Sequence, residues 1–382
     1  MGTLLETVDL VTNFYTFEGV VKALNKVSLV LDHGSTFGLV GESGCGKSVT
    51  ARSIMRIVQE PGRIEGGQVI VYLDEKNRQA GVDLLQKSEA YMEDLRGNQI
   101  SMIFQEPNAA LNPTMSIGDQ VSESFLFHQK KEMCVKILED FCAPGCRAFY
   151  PVKKFQQAVY RIAARDPEAL ALKMLDRLPI LKLWRKKLKK EAKRRSIEIV
   201  GELGIPYPEQ IVEQYPHNLS GGMKQRIVIA IALACRPMLL IADEATSNLD
   251  VTIQAQILEL LRRLKEEVIS SILLITHDLG VVAETCDRVG VMYAGNVVEV
   301  ADVKDLFIKP LHPYTKALLD AVPKLSMEGS LKSIEGNVPN LIMPPPGCRF
   351  HPRCPHAMEI CGKEAPDLIE IEGNHTAACH LF

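Results

Sequence analysis

The stretch Gly41-Glu42-Ser43-Gly44-Cys45-Gly46-Lys47-Ser48 decides the fold. Before it, an alternating run, Val27 to Leu31, and an apolar run, Phe37 to Val40, read as two short strands; a helix opens where it ends. Glycines at this spacing let the backbone wrap an anion with successive N–H groups turned inward, and the helix start adds its positive pole. Lys47 is then placed for β- and γ-phosphates and Ser48 for Mg²⁺. The bland alternative is a glycine-rich turn that binds nothing; the preceding strand and the Lys-Ser ending favour a nucleotide.

Working outward, Met238 to Ala242, Ser271 to Thr276 and Val289 to Tyr293 read as buried strands, mixed with a helical stretch from Thr252 to Glu267. That mixture predicts an α/β domain with a largely parallel sheet. The first of these strands runs into Asp243-Glu244. Asp243 is suited to Mg²⁺ and Glu244, one residue later, to polarising an attacking water, which suffices because phosphoryl transfer is mostly positioning and charge stabilisation. Alone, such a pair reads as a solvated turn; beside a phosphate loop it reads as chemistry. Leu219-Ser220-Gly221-Gly222-Met223-Lys224-Gln225-Arg226 opens a second apolar helix, with Ser220 as N-cap and a second anion site as the functional reading. Two phosphate-binding helix starts are more than one nucleotide requires.

These residues, in this order, resemble the ATP-binding-cassette (ABC) ATPases, over roughly residues 4 to 325. The resemblance implies a P-loop nucleotide-binding domain with a RecA-like core, an antiparallel β subdomain and a helical subdomain. It implies a head-to-tail dimer in which the phosphate loop of one subunit and the Ser220, Gly221, Gly222, Gln225 signature of the other enclose each ATP. By the same resemblance, Gly41, Ser43, Gly44, Cys45, Gly46, Lys47, Ser48, Val49 and Gln105 contact ATP, with Ser48, Gln105 and Asp243 around Mg²⁺. Glu244 and His277 are catalytic, Asp250 of Ser247-Asn248-Leu249-Asp250 lies at the dimer interface, and Tyr15, with Phe17 second, stacks on adenine. The loop after Glu244 departs from the family pattern, reading Ala245-Thr246-Ser247-Asn248 where Pro-Thr and a following Ala are commoner.

A narrower resemblance rests on Tyr215-Pro216-His217-Asn218-Leu219, on His312-Pro313-Tyr314-Thr315-Lys316-Ala317-Leu318-Leu319, and on a cysteine tail. It points to the ATPase subunits of oligopeptide/dipeptide importers. In these, two cassettes drive two membrane permease subunits, and an extracytoplasmic solute-binding protein delivers cargo; some relatives carry oligosaccharides and others nickel complexes. Cys348, Cys354, Cys361 and Cys379 are separated by 5, 6 and 17 residues, and none forms the Cys-x-x-Cys pair usual in zinc sites. Four thiolates suit zinc and an iron–sulfur cluster alike, and unliganded thiols are the bland reading. The importer resemblance selects a 4Fe–4S cluster, with Zn²⁺ as the alternative and His351, His356 and His380 as substitutes. Residues 326–382 are accordingly expected to form a Pro/Cys-rich module after a cassette spanning 1–325.

Composition excludes a disordered, fibrous or small disulfide-rich protein: 46% of the 382 residues are hydrophobic, and net charge is −3. That neutrality is a cancellation. Residues 128 to 196 hold 19 Lys and Arg against 7 Asp and Glu, a net of +12, leaving about −15 for the remainder. Leu181, Trp184 and Leu188 recur at helical spacing there, so an amphipathic basic helix is expected within an insertion, 129–196, in the helical subdomain. The insertion reads either as meeting anionic lipid or an acidic partner, or as a solvated face with Trp184 packed beneath. Cys134, Cys142 and Cys146 show no ligand pattern. The longest apolar run, Ile227 to Cys235, is far shorter than the ~20 residues of a spanning helix. No signal peptide is legible, so a cytosolic chain is expected, and the importer resemblance implies a peripheral place on the cytoplasmic face of the membrane, held through permease subunits. The rival reading is a soluble ABC ATPase acting on nucleic acid or ribosomes through the basic insertion and an iron–sulfur module.

Overall fold

The computed structural model describes residues 2–73, 81–142, 150–167, 169, 172, 183–246, 250–267, 271–321 and 334–382. The chain divides into two compact units: Met1–Arg96 with Met238–Ser247 and Gln254–Phe382, and Gly97–Pro237 with Asn248–Ile253.

The first unit holds two sheets. One is antiparallel: β1 (Thr3–Thr16) and β2 (Gly19–Asp32) form a long hairpin, and β4 (Gly62–Val71) and β5 (Val82–Asp83) follow in the order β2-β1-β4-β5. The expected short strand at Val27 to Leu31 is thus the inner end of a 14-residue one. The other sheet has a parallel centre in which β3 (Thr36–Val40) lies between β8 (Ser271–Ile275) and β9 (Arg288–Tyr293), with β7 (Leu239–Asp243) beyond β8. Every residue of β3, β7 and β8 is buried, which is why these stretches read as unbroken apolar runs and not as alternation. β10 (Asn296–Asp302) turns antiparallel on β9, and the C-terminal hairpin β11 (Ile369–Glu372) and β12 (His375–Ala377) extends the same sheet from the β10 edge.

Beneath that edge lies a core of Val40, Leu279, Val282, Val291 and Leu306 closed by three rings. Tyr293 and Tyr314 stand 4.6 Å apart, with Phe350 5.1 Å and 5.4 Å from them, so β9, the His-Pro-Tyr-Thr helix Pro313–Asp320 and the cysteine-bearing tail share one aromatic cluster. A fully buried carboxylate, Glu299, ties the same parts together. It accepts the Leu311 and His312 amide N–H groups at 2.8 and 2.9 Å and lies 2.7 Å from His375 Nε2 on β12.

The second unit contains β6 (Ile100–Ile103) and is otherwise helical: Ile117–His128, Lys130–Cys142, Tyr150–Arg165, Leu183–Glu202 and Gly221–Leu233 are its longer helices. The insertion has a core of its own, in which Met133, Cys134, Phe141, Tyr160, Trp184 and Leu188 are all buried. Tyr160 Oη donates to the Trp184 carbonyl, and their rings meet edge to face at 6.1 Å. The expected amphipathic helix is therefore real, with Trp184 and Leu188 inward; Leu181, Lys182 and Cys146 lie outside the described residues. Its charges are partly paired: Arg194 and Arg195 engage Glu191, and Lys193 engages Glu213. Lys186, Lys187, Lys189, Lys190 and Lys193 line a groove of about 770 Å³.

Candidate active site

The phosphate loop begins where β3 ends. Gly41 (φ +152°) passes so close to β9 that a Cβ would sit 2.2 Å from the Met292 carbonyl oxygen, and Gly46 (φ +109°) turns the chain into the helix Lys47–Ile54. The N-cap is Gly46 and makes no side-chain cap, the form of helix start that suits an anion. Lys47 is buried, and its Nζ donates to the carbonyls of Gly41 at 2.8 Å and Glu42 at 3.1 Å. Burial raises the pKa of the neighbouring Cys45 thiol, keeping it an uncharged packing residue.

β7 brings its two carboxylates to the same sheet end, across β8. Ser48 Oγ donates to Asp243 Oδ1 at 2.8 Å. A hydroxyl and a single carboxylate are the hard oxygen donors Mg²⁺ prefers, so this pair fits that ion when phosphate oxygens share the work. Burial raises the pKa of Asp243, opposed by the Ser48 hydrogen bond. Glu244 occupies the left-handed region at φ +47°, with its N–H bound to the Ile275 carbonyl at 2.9 Å. For a residue with a Cβ that conformation costs about 1–3 kcal/mol, a strain typical of functional turns. It turns the Glu244 carboxylate toward the loop after β8, where His277 Nδ1 lies 3.4 Å from Oε1 and the imidazole is more than half exposed.

Tyr15, next to last in β1, is 44% exposed, and its hydroxyl donates to Glu65 at 2.8 Å. Arg63 stands 5.5 Å over the ring, and Phe17 in the next turn is fully exposed. In the second unit Gln105 is exposed on the loop after β6. Ser220 Oγ accepts the Met223 N–H at 3.4 Å, so the signature helix carries its own cap, and Gln225 is buried beneath it. Asp250 Oδ1 accepts the Ile253 N–H at 2.9 Å; Ser247, Asn248 and Leu249 lie outside the described residues.

The four tail cysteines are free thiols, Cys361 buried and Cys348, Cys354 and Cys379 half-buried. Burial pushes the Cys348 thiol up to about 11, and Cys361, Cys379 and Cys354 add to the rise. Among the described residues no group of three or more His, Cys, Asp or Glu side chains is preformed around a metal position. Backbone bonding sets the thiol positions, as in the Cys348 N–H to Cys361 carbonyl bond of 2.8 Å. Two of the three substitute ligands each have one ring nitrogen engaged, His351 Nδ1 2.8 Å from the Cys348 carbonyl and His380 Nε2 3.0 Å from that of Glu364.

Sequence reasoning missed Glu42, Tyr314 and Arg353 as parts of this site. The Glu42 N–H donates to Tyr314 Oη at 3.0 Å, and its carboxylate takes both Nη groups of Arg353 at 2.9 and 3.2 Å. The partners lie 272 and 311 residues away, a separation no local pattern signals.

Parallel strands that deliver a lysine-bearing phosphate loop, an oxygen pair for Mg²⁺ and a turned-out acid to their carboxyl ends define a P-loop nucleoside triphosphatase. The family model described as ABC transporter matches residues 24–247, and one described as oligopeptide/dipeptide transporter, C-terminal region, matches residues 298–361. The chain belongs to the ABC transporter family and is an ATPase of the ATP-binding-cassette type. It is 42% identical to the oligopeptide transport ATP-binding protein AppD of Bacillus subtilis (strain 168), covering 100% of this chain and 98% of that one. It is 40% identical to the oligopeptide transport ATP-binding protein OppD of Salmonella typhimurium, over 99% and 93% of the two. Among solved structures, the dimeric bacterial ABC transporter cassette MJ0796 superposes with a TM-score of 0.55 at 21% identity, over 78% of this chain and 99% of that one, a likeness of fold. Among the described residues no helix is long and apolar enough to cross a membrane.

Proposed function

We propose that this chain is the ATP-hydrolysing subunit of an importer for oligopeptides or dipeptides. It works as a peripheral protein on the cytoplasmic face of the membrane, paired with a second cassette and seated on two permease subunits. The observation that carries the reading is the Ser48–Asp243 contact at 2.8 Å beside Glu244 and His277, joined to a C-terminal region of the oligopeptide/dipeptide transporter type. That C-terminal match favours the importer over an ATPase acting on nucleic acid or ribosomes. The names of the relatives supply the cargo class, with oligosaccharides and nickel complexes as the alternatives to be tested.

In the reaction, the uncapped helix start and Lys47 bind the phosphates of ATP, and Tyr15 stacks on the base. Ser48, Asp243 and Gln105 hold Mg²⁺, which supplies charge stabilisation of the transferring phosphoryl group. Glu244 orients and polarises the attacking water, and His277 contacts the γ-phosphate. Ser220, Gly221, Gly222 and Gln225 serve the nucleotide of the partner cassette, with Asp250 at the interface between the two. Residues 1–325 are proposed as the cassette and 326–382 as the C-terminal region. Cys348, Cys354, Cys361 and Cys379 are proposed as the ligands of a 4Fe–4S cluster. What supports the cluster is the set of four cysteines in a C-terminal region of the oligopeptide/dipeptide transporter type. Stoichiometric iron with absorption near 400 nm would support it; stoichiometric zinc without iron would replace it.

The test is copurification and transport. Two multi-span membrane proteins and a second cassette are expected to come down with this chain, and the reconstituted complex is expected to take up short peptides only with ATP. Peptide uptake that persists when Glu244→Gln has stopped hydrolysis would overturn the proposal.

A further inference from the structure

Glu42 is an awkward residue for a phosphate loop. Its carboxylate sits one residue after Gly41, beside a site built for a polyanion, and a like charge there opposes binding. The structure meets that charge with Arg353, which forms a two-pronged pair with Glu42 at 2.9 and 3.2 Å. Only 6% of the Arg353 side chain and 24% of the Glu42 side chain remain exposed, so the pair is weakly screened. Arg353 is itself fixed from every side. Its Nε donates to the Glu335 carbonyl at 2.9 Å and its Nη groups to the Ile334 carbonyl and Tyr293 Oη at 3.3 Å, with the guanidinium 5.7 Å over the Tyr293 ring. The rest of Glu42 is held as well: Tyr314 accepts its N–H at 3.0 Å, and its carbonyl accepts from Lys47 Nζ at 3.1 Å. Tyr314 belongs to the His-Pro-Tyr-Thr segment and Arg353 to the cysteine-bearing tail, so two segments outside the nucleotide motifs converge on one loop residue.

We propose that Arg353 is a positioning residue of the ATP site: it cancels the Glu42 carboxylate and, with Tyr314, fixes the entrance of the phosphate loop, making the C-terminal region a part of nucleotide binding. The proposal rests on the phosphate loop binding ATP.

Mg·ATP binding to the full-length chain, followed with a fluorescent ATP analogue and checked by KM and kcat, separates the two. Loss of one positive charge that neutralises a carboxylate near the phosphates is expected to weaken Mg·ATP binding about tenfold in Arg353→Gln, raising KM while kcat stays within about twofold. Adding Glu42→Gln to Arg353→Gln removes the uncancelled anion and is expected to restore affinity to within about threefold of wild type. Arg353→Lys, which keeps charge without the two-pronged geometry, should fall between, and about 0.5 M KCl should narrow the Arg353→Gln defect. A variant that merely misfolds would not be rescued by a second substitution. Unchanged affinity in Arg353→Gln, or a double variant as weak as the single one, would overturn the proposal. Wild-type chain that binds no Mg·ATP, like a Lys47→Ala control, would overturn the nucleotide reading itself.

Discussion

The chain carries two glycine-flanked helix starts, and they are built differently. At Lys47 the first turn has no side-chain cap, the lysine is buried, and the loop before it is held by Arg353, Tyr314 and the carbonyl contacts of Lys47. At Ser220 the helix caps itself with its own hydroxyl and the opening residues face outward. In the proposed reaction one start is braced for a phosphate on its own, while the other is already capped and would serve as an anion site only when a second molecule delivers the nucleotide. Two similar sequence signals are therefore packed differently, and the proposed division of duties rests on that difference.

The strongest way to break that contrast is Glu244→Gln. It should lower kcat by about 10²–10⁴-fold, the range for loss of a positioned base, while Mg·ATP affinity stays within about twofold, read by steady-state turnover beside equilibrium binding. If turnover survives, the left-handed Glu244 is not the acid that the braced site serves. Next comes Trp184→Ala in the second unit. Emptying so large a buried volume should cost about 3–5 kcal/mol of stability in the helices of the insertion, measured by denaturant unfolding. Mg·ATP binding in the first unit should remain, and its loss would mean that the bracing of the phosphate loop is not local.

The brace also titrates. His312 Nδ1 accepts the Tyr314 N–H at 3.0 Å, and burial holds the His312 pKa down to about 4. Below an unfolded pKa near 6.5 the unfolded chain takes up a proton that the folded chain refuses. Stability should thus be intact above about pH 6.5 and decline by up to about 3 kcal/mol as pH falls towards about 4. Denaturant unfolding at about pH 7 and about pH 4.5 should show this slope. His312→Asn, which keeps an N-cap acceptor without a titrating ring, should flatten it. The smallest effect is at Tyr15. Its replacement by Ala should raise the KM for ATP about three- to tenfold and by Phe hardly at all, since the ring and not the hydroxyl is the stacking surface. A large loss in Tyr15→Phe would instead make the Glu65 bond the essential feature.

Much of this was legible because it is local. The order strand, Gly41 to Ser48, helix places a phosphate loop by short-range geometry alone, and the apolar runs at β3, β7 and β8 announce a doubly covered parallel sheet. Trp184 and Leu188 declare a buried face by their spacing. The long hairpin of β1 and β2 was less visible, because its alternation is broken by register shifts such as that between Thr7 and Leu10. What could not be read was the chain folding back on itself: Arg353 on Glu42, Tyr314 on the Glu42 amide, and His375 on Glu299 join residues that share no period or motif. The tail thiols were visible as a cluster in sequence, but how they are arranged in space is not something a spacing of 5, 6 and 17 residues can specify.

The central claim is that the Lys47 start binds ATP within one chain and the Ser220 start does not. Equilibrium binding of Mg·ATP to the isolated full-length chain tests it directly. Lys47→Ala is expected to weaken binding by more than about a hundredfold, because a buried charged phosphate contact is lost. Ser220→Arg, placed on the exposed start, is expected to leave binding within about twofold of wild type while abolishing turnover in the assembled pair. A Ser220→Arg chain that loses Mg·ATP as completely as Lys47→Ala would contradict the account.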